Sequence, residues 1–148
     1  NSVGAYQISG IPYATSSIKA PPPDPAGTTL EIAFPRITKW VTIENTGVSG
    51  SLASGIGGGG VRVGFSDNGV RSNLGQNYYF VVPPVVGSPS GSVSANSRIT
   101  LDIRVQSIFL MSNDDNQWGR CQVVAGLTTI PTASIPGFTN WTGSSGVG

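Results

Sequence analysis

SRITLDIRVQSIFLM, residues Ser97 to Met111, is the stretch on which the fold turns. Ile99, Leu101, Ile103 and Val105 share one side of an extended chain, and Thr100, Asp102, Arg104 and Gln106 share the other. A period of two with apolar residues on one side marks a half-buried β-strand, because successive side chains of a strand point to opposite faces. At Gln106-Ser107 the phase slips by one, and Ile108 and Leu110 resume the apolar side. No Gly, Pro or Asn sits at the slip, so the pattern predicts one long strand with a β-bulge rather than two strands joined by a turn. Such a strand belongs in the centre of a sheet, and Ile103→Asp is expected to unfold the domain by placing an unpaired charge in the core.

Working outward, Thr28 to Phe34 alternates with Leu30, Ile32 and Phe34 inward, and Pro35-Arg36 makes a corner. Ile37 to Asn45 follows with Ile37, Val41 and Ile43 inward, which puts Trp40 on the opposite face beside Thr42 and Glu44. An outward Trp needs a cover, either the N-terminal arm or a loop, or a neighbouring subunit. Val61 to Ser66 is a further strand, and Asp67-Asn68-Gly69 predicts a tight turn. Tyr78 to Val82 reads as a fully apolar strand stopped by Pro83-Pro84, with Tyr78 and Phe80 mainly in the core. Asn113 to Gly119 is a polar turn carrying Trp118 at its tip, packed on a neighbour, and Arg120 to Leu127 is a strand.

Between these lie long Ser/Gly/Pro loops at residues 47–60 and 83–96. The GIGGGG run lacks the Lys-Ser/Thr of a phosphate loop and opens a strand rather than a helix, so it reads as a hairpin loop. Residues 1–27 read as an arm or short edge strand, then a stiff spacer at Pro21-Pro22-Pro23-Asp24-Pro25, with a proline-motif ligand as the alternative. Residues 28–131 form the domain, and 132–148 a tail over the surface that ends disordered. Six clear strands, one or two weaker ones at either end, uneven spacing and no helical periodicity predict an all-β jelly roll of about eight strands in two antiparallel sheets. The paired cysteines and core Trp spacing of an immunoglobulin sandwich are missing.

Composition narrows the function. Only 10% of the 148 residues are charged, against about 25% in ordinary soluble domains. With the strands arguing against disorder, that predicts a surface largely covered by neighbours. A net charge of +1 with scattered Lys and Arg gives no field for nucleic acid, and no apolar run approaches a membrane span. No signal peptide is visible and the chain starts at Asn1, so it is read as processed or as part of something longer. Cys121 stands alone, so no internal disulfide is possible, which leans towards a reducing compartment.

The absence of His removes the commonest general base, the usual partner of a serine nucleophile and the usual zinc ligand. Glu44 and Asp102 can meet on a sheet face as a glycosidase pair, against the commoner reading of surface charges paired with Arg62 or Arg104. Asp114-Asp115-Asn116 lacks the spacing of a calcium loop, and Asn140-Trp141-Thr142 matches a glycosylation sequon. Tyr78, Tyr79, Trp118 and Trp141 are stacking aromatics with no common face. No catalytic residue, cofactor or metal is expected.

Three segments taken in order, ITKWVTIENTG, then VRVGFSDNGV…NYYFVV, then RITLDIRVQSIFLMSND…QVVAGLTTIP, resemble the single jelly-roll penton capsid proteins of large icosahedral DNA viruses, especially those infecting algae. The likeness runs from about Leu30 to Pro131 and rests on structural motifs; the Gly-rich insert and the tail have no counterpart in it. It implies a virion protein, assembled in the host cytoplasm, with five copies around each fivefold vertex beside the neighbouring major and minor capsid proteins. The expected contacts are Trp40, Tyr78, Tyr79, Trp118 and the long loops. On that view Trp40→Ala weakens association without unfolding, and deleting residues 1–24 spares the ring but detaches it from the shell. The competing class is a carbohydrate-binding jelly roll or fibre-head domain, with an enzyme accessory domain as a third.

Overall fold

The computed structural model of the chain describes residues 10–23, 28–47, 60–71, 77–84, 97–114, 117–134 and 146–147. Among these, eight strands follow in order: β1 (Ile11–Ala20), β2 (Leu30–Ala33), β3 (Arg36–Asn45), β4 (Val61–Gly64), β5 (Tyr79–Val82), β6 (Arg98–Leu101), β7 (Ser107–Ser112) and β8 (Gly119–Pro131). A one-turn helix, α1 (Asp67–Arg71), lies between β4 and β5, and a 3-10 turn (Thr132–Ser134) follows β8. Two four-stranded sheets result, ordered β1-β8-β3-β6 and β2-β7-β4-β5, with every pairing antiparallel. Strands adjacent in sequence mostly lie in opposite sheets, which is the jelly roll expected from the alternation.

The pivotal stretch departs from its reading. It is two strands in two different sheets, not one bulged central strand. β6 is an edge of the first sheet, β7 lies inside the second, and residues 102–106 carry the chain across. Strands that switch sheets do so at bulges or bends, and the phase must reset there so that apolar residues face the core from both layers. The slip at Gln106-Ser107 is that reset, and locally it is indistinguishable from a bulge within one sheet. Pro35 does the same between β2 and β3. The two corners lie side by side, because Phe34 N donates to Gln106 O at 2.8 Å and Thr38 N to Val105 O at 3.1 Å. The buried Thr38 hydroxyl is also bonded at the crossover, to Ile103 O at 2.8 Å and with Val105 N at 3.0 Å.

Of the two readings of the N-terminal stretch, arm or short edge strand, residues 11–20 take the second, and the strand is not short. They pair along β8 as a ten-residue edge strand and bury Ile18 and Ala20 in the core. Tyr13 meets Phe34 edge-on at 5.1 Å between ring centres. The pattern was hidden by a break in register between Thr15 and Ile18, where Ser17 has φ 57°, which shifts the apolar phase. Pro12 is tolerated because β1 is an edge. Nor are the prolines a free spacer, since Pro21 and Pro22 are buried and Pro21 O accepts from Ser112 N at 2.8 Å. Residues 24–27 and the Gly-rich loop residues 48–59 lie outside the described set.

The core is the layer between the sheets. Val41, Ile43, Val123 and Ala125 meet Val61, Val63, Ile108 and Leu110, all fully buried. Each large aliphatic contributes about 1.5–3 kcal/mol by leaving water. The fully apolar run forms the edge strand β5, in which Val82 is buried while Val81 is 40% exposed.

The expected turn at Asp67-Asn68-Gly69 is α1. Ser66 starts it as an N-cap, a position at which Ser is strongly preferred, its Oγ accepting from Gly69 N at 2.9 Å. Val70 is fully buried, and a Cβ on Gly64 would stand 3.2 Å from Val70 Cβ, so this glycine lets α1 lie on the outer face of the β4 sheet.

Candidate functional site

Among the described residues, the Glu44 and Asp67 carboxylates are held by neighbouring side chains. Glu44 on β3 accepts from Arg98 on β6 at 3.1 Å and from Gln122 on β8 at 3.2 Å, so its partner is neither Arg62 nor Arg104. Arg104 donates to Lys39 O at 3.1 Å. Arg62 is buried beneath α1, where its guanidinium lies 4.6 Å over the Tyr79 ring and its Nε donates to Asn113 Oδ1 at 3.0 Å. Asp102 is exposed.

Burial raises the Asp67 pKa, but the Thr29 hydroxyl, the Arg71 hydrogen bond and the Arg71 charge together outweigh it, and the carboxyl is held below its ordinary value. A depressed folded pKa stabilises the fold above the unfolded value and loses that contribution as pH falls through the folded one. The Asp67–Arg71 pair is partly exposed, so the effect is under about 1 kcal/mol. Melting temperature should therefore drop between about pH 5 and pH 2 more for the native chain than for Asp67→Asn. Parallel curves would remove this carboxylate from the account.

Cys121 is fully buried on β8, and burial pushes its thiol up to about 12, so it stays protonated and unreactive in the folded chain. Among the described residues no three potential ligands gather as a metal site. Asp114 N donates to Ser112 Oγ at 3.2 Å, whereas Asp115, Asn116 and the Asn140 sequon lie outside the described residues. Among the described residues no helix is long and apolar enough to cross a membrane.

The four aromatics expected at contacts fall in three places. Tyr78 and Tyr79 lie at the edge strand β5, where with Val63, Phe65, Phe80 and Gly146 they line an open cleft of about 270 Å³. Trp118, 41% exposed, stands at the start of β8. Trp40 is on the outer face of the other sheet, as its position in the alternation predicts, and the N-terminal strand borders it: a groove of about 300 Å³ is lined by Gly10, Ile11, Pro12, Trp40 and Gly126. Trp141 lies outside the described residues.

Of this groove the sequence singled out Trp40 alone; Gly10, Ile11, Pro12 and Gly126 were missed. Pro12 and Trp40 are both register partners of Gly126, one from each neighbouring strand. A glycine at an outward position in VVAGL is the available signal, since strand glycines mark close approach of another group. Comparison with protein-family models, curated proteins and solved structures finds no match to the chain.

Proposed function

We propose that this chain is a structural capsid protein, the fivefold vertex capsomer of an icosahedral virion, assembled in the host cytoplasm as a homopentamer beside other capsid proteins. The observation that supports it is the strand order β1-β8-β3-β6 over β2-β7-β4-β5, the jelly roll that the resemblance implies. A fivefold ring is a head-to-tail assembly, so one edge of each sandwich meets a different edge of the next. β5 is a suitable edge, with Tyr79 half-buried and Val81 exposed on a short strand free of charge. Its apolar edge is the kind of surface that a neighbour covers.

The deletion that tests attachment to the shell is shorter than the sequence suggests. Removing residues 1–24 would take away β1 and its core side chains, so residues 1–9 are the segment to delete. Cryo-microscopy of the parent particle tests the assignment. Five copies around each vertex are expected; density away from the fivefold axes, or trimers only, would overturn it and favour a jelly-roll binding module.

A further inference from the structure

We propose that the outer face of the β1-β8-β3-β6 sheet is an oligosaccharide-binding platform, with Trp40 as its stacking residue and acidic sugars as its preferred class. Register puts the parts in successive rows. The first holds Pro12, Gly126 and Trp40, so the indole has no side chain opposite it on β8. The second holds Thr42 and Thr100, whose hydroxyls are bonded at 2.8 Å, with the exposed Val124 beside Thr42 on β8 as a further apolar contact for a sugar face. The third holds Glu44 with Arg98 and Gln122, a carboxylate, a guanidinium and an amide already locked together. The last holds Lys19 and Arg120, register partners that are both exposed.

Each row suits a sugar for a stated reason. A pyranose has an apolar C–H face that stacks on an indole, and a rim of hydroxyls that both donate and accept. Planar carboxylate, guanidinium and amide groups bind neighbouring hydroxyls in pairs, and their mutual bonds fix them before a ligand arrives, which lowers the cost of ordering them. From the Trp40 row to the Arg120 row is six residues, about 20 Å at about 3.3 Å each, the reach of a short oligosaccharide. Glu44 and Arg98 cancel in charge, while Lys19 and Arg120 leave the far end positive. The ligand that fits is therefore a neutral sugar on Trp40 continuing to a carboxylate-bearing one, a uronic or sialic acid. The site lies on a sheet face, away from the β5 edge, so this inference does not rest on the capsid assignment.

The test is a glycan array carrying neutral, uronic and sialylated oligosaccharides, followed by titration calorimetry with the best binder. Acidic oligosaccharides should bind, Trp40→Ala should weaken them about tenfold or more, and Trp40→Phe and Trp118→Ala should retain most of the affinity. Arg120→Ala should reduce binding and its dependence on salt. Circular dichroism establishes that each variant is folded, and Thr42→Val serves as the second probe of the face if Trp40→Ala is not. Absence of binding to any array glycan, or binding indifferent to Trp40 and abolished by salt, would overturn the proposal. So would self-association that disappears in Trp40→Ala, because the face would then be a subunit interface.

Discussion

Ile43→Asp is expected to yield no folded protein. Ile43 is fully buried on β3, which lies between β8 and β6, with Val123 and Ile99 as its register partners. An ionised Asp there enters the layer between the sheets, and burying an unpaired polar or charged group costs several kcal/mol, comparable with the roughly 5–15 kcal/mol that holds a typical domain together. Circular dichroism should lose its strand signal, and Cys121, protected in the native fold, should react with a disulfide reagent without denaturant. A soluble variant with a protected thiol would show that the core is elsewhere. Ile103→Asp, the substitution the alternation singles out, should be milder, since Ile103 is half-buried on the crossover.

Asn45→Ala is the second large effect. This fully buried side chain ends β3 in one sheet and donates from Nδ2 to Val82 O, on β5 of the other, at 3.0 Å, while its Oδ1 accepts from Gly47 N at 2.8 Å. It clasps the two layers at one end. Truncation leaves a buried carbonyl and a buried N–H unsatisfied, each costing about 1–3 kcal/mol. The urea midpoint should fall by about 1–2 M with the slope unchanged, given slopes of about 1–3 kcal/mol per M. An unmoved midpoint would mean that the clasp contributes nothing.

Period-two alternation reports which side of a strand is apolar, and where it was unbroken the facing held: Leu30, Ile32 and Phe34, then Val41 and Ile43 against an outward Trp40, then Val61 and Val63. It does not report which sheet a strand joins, so the sheet switch at Gln106-Ser107 passed for a bulge. Where register broke near Ser17 the period was lost, and β1 could not be told from an arm or its length read. Ser66 and the Asp67–Arg71 pair settle α1 through contacts that a turn dipeptide does not display. Asn45 reads from sequence as no more than the last residue of a strand, because its partner Val82 O, on β5, is brought to it by the packing of the two layers. The Trp40 groove, finally, is a property of neighbouring strands, and a single chain read in order does not state which glycine lies opposite which indole.

The strand order also sets a schedule for synthesis. β1 pairs with β8, β2 with β7, and β3 with β6 and β8, so the described strands up to Asn45 find no ladder partner among themselves. Among the described strands, β4 and β5 are the one pair formed between consecutive strands. A ribosome adding about 5–20 residues per second takes about 4–15 s to travel from Asn45 to Gly119. β3 waits for β6 and β2 for β7 through most of that interval, and β1 waits for β8 through all of it. Pairing then depends on contacts distant in sequence, the slow class of folding reaction. The chain therefore matures from its C-terminal end: a nascent chain stopped before β8 lacks the strand that joins β1 to β3, and chaperones holding the waiting N-terminal half would govern the yield.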